Sequence, residues 1–145
     1  MKNCASGLAR NMRIVIAVLL TVAFLPAHSA TQSTCHGTTD RGRLDNGWQL
    51  PSSGDNFAAY SLLGVGAGRN YVHSTVHAIV VESYANLVKS SPGKYFVYGE
   101  TGFKSGGKFS PHKTHQNGLS VDFFVPVVDG AGKSLLRNPQ RFKER

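Results

Sequence analysis

His115 and Asp122 stand seven positions apart, up to about 23 Å if the chain between them were extended. Between them lies Asn117-Gly118, a dipeptide that tolerates positive φ and so reverses a chain in a tight turn. If the two side chains meet, the segment folds back here, and no other stretch constrains the fold as much. His112 precedes His115 by three residues. Two neutral imidazoles and a carboxylate are donors that zinc takes at roughly 2.0–2.2 Å. A lone histidine beside a turn reads as a surface residue, and an aspartate on a strand can be satisfied by backbone amides. Two histidines at i and i+3, then a turn and a strand-borne aspartate, read instead as a metal site. The expected metal ligands are His112, His115 and Asp122, within residues 109–126 (FSPHKTHQNGLSVDFFVP).

The rest of the chain supplies a frame for that stretch. Val72, Val76, Ile79, Val80, Leu87 and Val88 recur at three- and four-residue spacings, with Tyr84 closing the stripe. This periodicity predicts a helix over residues 71–89, stopped by Pro92-Gly93. His73 and His77 stand at i and i+4, but Ser74 occupies the position where a zincin motif requires glutamate. Packing and local hydrogen bonding are their expected roles. Residues 95–99 (YFVYG) predict a short strand, residues 100–110 a glycine-rich loop over the site, and residues 119–128 a second strand. Period-2 alternation would put Ser120, Asp122 and Phe124 on one face of it. Asn46-Gly47, flanked by Leu44 and Trp48, predicts a short hairpin. His36 reads as a solvated loop residue and Trp48 as a packing residue. Residues 64–68 (GVGAG) lack the GK[ST] of a phosphate loop and the context of a dinucleotide fingerprint.

Residues 1–30 read as a secretory signal. Lys2, Arg10 and Arg13 precede an apolar run over residues 14–25, and Ala27-His28-Ser29 offers a cleavage site. The start could equally be Met12. The apolar run is shorter than the roughly 20 residues of a membrane span, so no stable span is expected after signal removal. The net charge falls from +8 to +5, because three of the 16 basic residues and none of the eight acidic ones precede the cleavage point. A basic exported chain suits an anionic envelope polymer, and with no recognised motif for it nucleic acid is not an expected partner. Cys35 is then left unpaired in an oxidising compartment, and a structural zinc ribbon is excluded.

The residues around the turn resemble the penicillin-insensitive murein endopeptidases, within the lysostaphin, D-Ala-D-Ala metallopeptidase and hedgehog-like group. The matching pieces are Gly106-Gly107, Pro111-His112-Lys113-Thr114-His115-Gln116, Gly118-Leu119 and Val121-Asp122. Gly68-Arg69 with Tyr71 and His73, and Tyr98-Gly99-Glu100, extend the likeness over residues 44–128. The resemblance implies that His115 and Asp122 bind a catalytic Zn2+, with His112 beside it on a second metal position or supporting the first. It implies a periplasmic enzyme cutting the D-alanyl to meso-diaminopimelyl amide of peptidoglycan cross-link peptides. Insensitivity to penicillin follows, because Ser105, Ser110 and Ser120 lack the base arrangement of a serine hydrolase.

The family's second signature, a His-x-His that supplies the third ligand, has no counterpart here, since no histidine follows His115. The general base is therefore unassigned, and a C-terminally incomplete chain is expected. The alternative is a non-catalytic peptidoglycan-binding remnant; a carboxypeptidase of the same group is a third reading. The expected fold is α+β, a small antiparallel sheet bearing the zinc site with one main packed helix and its C-terminal part missing. Such a sheet would expose an unpaired edge and apolar surface. The expected organisation is a signal over residues 1–30, an exposed lead-in over 31–54, a partial metallopeptidase-like domain over 55–128 and a basic tail over 129–145.

Overall fold

Short strands and one long helix are what a chain with glycine at 16 of 145 positions sustains. The computed structural model describes residues 31–135; the signal over residues 1–30, and Arg137, Arg141, Lys143 and Arg145 of the basic tail, lie outside them. β1 (Thr34–Gly37) and β2 (Gly42–Asp45) form an antiparallel hairpin. Its turn is closed by reciprocal backbone bonds between Thr38 and Arg41 at 3.1 and 3.3 Å. β3 (Trp48–Gln49) pairs antiparallel with β5 (Tyr71–Val72). The third sheet has the order β4–β6–β7, from Phe57–Ala59, Phe96–Tyr98 and Phe123–Phe124. β6 runs parallel to β4 and antiparallel to β7. A parallel pair needs a long crossover, and here α1 (Leu62–Gly66), β5 and α2 (Ser74–Ser90) provide it. The architecture is α+β.

The core is where the helix meets the sheet. Val80 and Tyr84 of α2 are buried against Leu50, Phe57, Ala59, Val72 and Tyr98. The rings of Phe57 and Tyr84 stack with centroids 4.3 Å apart. Two buried amides are paired: Asn70 Nδ2 donates to Leu50 O at 2.7 Å, and Asn56 Nδ2 to Tyr84 O at 2.9 Å. The Tyr98 hydroxyl donates to Pro51 O at 2.8 Å.

Five expectations are corrected. The helix begins at Ser74, because Tyr71 and Val72 are committed to β5 and His73 N donates to Gly118 O at 2.9 Å. With Val72 on a strand the buried stripe is carried by Val76, Val80, Tyr84 and Leu87, while Ile79 and Val88 face solvent. The strand over 119–128 shrinks to the two residues of β7, an edge strand whose neighbours Val125, Val127 and Val128 are exposed. Asn46-Gly47 joins two different sheets rather than one hairpin, since Leu44 pairs with Cys35 and Trp48 with Val72. The lead-in is not exposed throughout, because Leu44 and Leu50 are each 1% accessible. Among the described residues, no helix is long and apolar enough to cross a membrane.

Candidate metal centre

His115 is the fixed point of the centre. Its backbone takes φ of 72°, a left-handed conformation that a side-chain-bearing residue adopts at a cost of about 1–2 kcal/mol. The surroundings hold it there. Gln116 N donates to Thr39 O, Gly107 N to Gln116 O, and Asn117 Oδ1 accepts from Leu119 N. The reversal between His115 and Asp122 therefore uses positive φ at His115 and Gly118 (φ 76°), and not at Asn117. A Cβ on Gly118 would lie 2.6 Å from Leu44 Cδ2 and 2.8 Å from His73 N, so only glycine fits between the hairpin and the helix start.

The ring of His115 is buried, and its Nδ1 lies 3.1 Å from Thr101 O and 3.4 Å from Ser120 O. A carbonyl only accepts, so in the neutral ring Nδ1 carries the proton and Nε2 keeps its lone pair. That lone pair faces Asp122 Oδ1 at 3.5 Å. Two acceptors then confront each other, and a proton or a metal cation between them relieves the repulsion. Zinc bound tetrahedrally at 2.0–2.1 Å holds two donors about 3.3–3.4 Å apart, close to the observed spacing. His112 stands beside them, its ring 5.3 Å from that of His115 and nearly perpendicular at 86°. One donor atom from each of His112, His115 and Asp122 lies within 4.8 Å of the others. The donor set fits zinc.

Asp122 is presented by main-chain bonds. Its N donates to Glu100 O at 3.0 Å, and its O accepts from Gly99 N at 2.7 Å. It thus continues the β6–β7 ladder one step beyond β7, with an exposed side chain.

The loop over 100–110 does close against the centre. Phe109 is fully buried, with ring centroids 5.7 Å from His112 and 5.5 Å from His115. Arg69 lies against the ring of Phe109. Its Nε donates to Glu100 Oε2 at 2.8 Å and one Nη to Ser110 O at 3.2 Å, and its guanidinium sits 4.0 Å from the centre of the Phe109 ring. Sequence reasoning named Arg69 and Glu100 without pairing them and missed Thr101 altogether. Charges at positions 69 and 100, each next to an apolar strand, were a usable signal for the pair. A backbone carbonyl as a histidine partner leaves none.

The remaining histidines have local roles. His73 caps α2, its Nδ1 accepting from Thr75 N at 3.2 Å, and His77 packs edge-on against Trp48 at 5.3 Å. His36 is not a free loop residue: it lies on β1 with Nε2 2.8 Å from Asp45 Oδ2. Among the described residues no serine hydroxyl bonds a histidine nitrogen.

A profile of the family described as penicillin-insensitive murein endopeptidase matches residues 35–144. No curated protein matches the chain at a significant level.

Proposed function

The chain belongs to the penicillin-insensitive murein endopeptidase family, and from that premise we propose that it is an exported, zinc-dependent hydrolase of peptidoglycan. The single observation that supports the metal is the bare Nε2 of buried His115 facing Asp122 at 3.5 Å. His115 and Asp122 would hold the ion, and His112 stands within reach as a third donor. A bound zinc supplies Lewis acidity, lowering the pKa of a coordinated water toward 7 and polarising a substrate carbonyl.

The chain's own residues prepare that chemistry. Thr101 O keeps the His115 proton on Nδ1, which leaves Nε2 free to coordinate. Phe109 walls the inner side of the two imidazoles and excludes water from it. Asp122 stays open to solvent, where an extended peptide can approach. The substrate on this reading is the cross-link peptide, cut between D-alanine and meso-diaminopimelate in the periplasm. That no serine hydroxyl among the described residues bonds a histidine nitrogen agrees with a reaction that passes through no acyl-enzyme.

The test is zinc analysis and muropeptide digestion on one preparation. Stoichiometric zinc, and cleavage of cross-linked muropeptides abolished by chelator, are expected. His115→Ala and Asp122→Ala should lose both. Chelator-independent binding to sacculi without any cleavage would replace this reading with a non-catalytic peptidoglycan-binding role.

A further inference from the structure

Beside the metal centre lies a groove of about 410 Å³ that the chemistry above does not use. Its volume falls within the usual range of roughly 300–1,000 Å³ for small-ligand sites. The β1–β2 hairpin forms one wall through His36, Arg41 and Arg43, and Gly107, Lys108 and Gln116 form the other. The two walls are tied together and to the centre. Arg43 bridges to Gly106, Gln116 N donates to the hairpin residue Thr39 at 2.9 Å, and Gln116 follows the ligand His115 directly.

Among the described residues, no carboxylate lines this groove. Asp45, from outside it, engages Arg43 at 2.6 Å and His36 at 2.8 Å. Arg41 and Lys108 are exposed and make no ion pair among the described residues. A guanidinium fork and an ammonium facing one cavity are the donors that a carboxylate takes most strongly. An excess of positive charge over this open groove also raises the local concentration of an anionic ligand, even though the Arg41 guanidinium also attracts the neighbouring Asp40 carboxylate.

We propose that this groove is a carboxylate-binding subsite, in which Arg41 and Lys108 hold a free carboxylate of an acidic peptide while its amide lies at the His115–Asp122 centre. The inference rests on the murein peptidase reading for the identity of the peptide. The anion chemistry of the groove stands by itself. Arg41 and Lys108 are then positioning residues, acting on binding rather than on bond cleavage.

The probe is a fluorescently labelled D-alanine-terminated stem peptide, prepared as the free acid and as the C-terminal amide. Its affinity for the full chain is read by anisotropy, with the Arg41→Ala/Lys108→Ala variant alongside. The free acid should bind the unaltered chain about tenfold more tightly than the variant. The amide should bind both as weakly as the variant binds the acid, and Arg41→Lys/Lys108→Arg should restore most of the affinity. Zinc content and the thermal transition should be unchanged in every variant, since both side chains are exposed. Equal affinity of the unaltered chain and the alanine variant for the free acid would overturn the subsite, as would equal affinity for acid and amide. If the acid binds as expected but the unaltered chain cleaves no cross-linked muropeptide, the groove stands and the peptidase reading falls.

Discussion

Arg69 stacks its guanidinium 4.0 Å over the ring of Phe109. The same group bonds Glu100 and the Ser110 carbonyl, so one side chain joins three points of the loop that closes on the centre. Glu100 O also accepts from Asp122 N. Arg69 is thus linked, through Phe109 and Glu100, to both histidines and to the aspartate.

Arg69→Ala should destabilise the fold by about 2–3 kcal/mol, since it strips a mostly buried carboxylate of its partner. Zinc affinity should fall with it, as the wall behind His112 and His115 loosens. Differential scanning calorimetry and zinc titration check both. The Arg69→Ala/Glu100→Ala double variant should be less destabilised than the sum of the single changes, because the two residues share one interaction.

Gly102→Ala places a Cβ 2.7 Å from His115 O and 3.3 Å from Tyr71 O. Backbone on both sides must move, at a cost of about 1–3 kcal/mol. Because His115 is one of the groups displaced, zinc binding should weaken while far-UV circular dichroism keeps its helical signal from α2. Unchanged zinc affinity in this variant would show that the position of His115 is not set by its contact with Gly102.

The buried hydroxyl of Tyr84 has no hydrogen-bond partner among the described residues. Tyr84→Phe removes the cost of that unpaired group and keeps the stack on Phe57. Stability should rise by about 1 kcal/mol, read as a higher midpoint in urea at constant m-value.

Alkaline pH should unfold the chain earlier than exposed tyrosines would allow. Burial pushes the Tyr98 hydroxyl from 10.0 up to about 12, and raises that of Tyr84 further still, also chiefly through burial. A folded pKa above the unfolded one means stability that is complete below pH 10 and lost as pH rises through the folded value. Each pH unit in that window costs about 1.4 kcal/mol per buried tyrosine. Tyrosinate absorbance and loss of circular dichroism should therefore rise together between pH 10 and 12. Tyr84→Phe should make the loss of stability across that window shallower.

Several local facts were legible in the residues themselves. The convergence of His112, His115 and Asp122 on one point followed from side-chain chemistry and from the turn between them. The main helix followed from its apolar periodicity, because a 3.6-residue repeat is a property of local sequence. Its start was not legible. Residues 71–73 match the repeat, but β3 and Gly118 claim their backbone groups, and those partners are more than twenty residues away in the chain. The reversal was legible as an event, and its conformation only in part. Asn-Gly marked one positive-φ position, Gly118, but a second lies at His115, whose ring nitrogen faces Thr101 O and whose neighbour Gln116 bonds Thr39 and Gly107.

The sequence alone thus determined which residues carry donor atoms of the kind a metal takes, and that the chain between His115 and Asp122 turns back. Tertiary structure decided which nitrogen of His115 is free, which charge braces the loop, and which cations line the groove beside the centre. The physical reason is range: donor chemistry and turn propensity reside in single residues and their neighbours. Proton placement and electrostatic pairing depend on groups such as Thr101, Arg69 and Arg41, which only folding brings within a few ångströms of one another's partners.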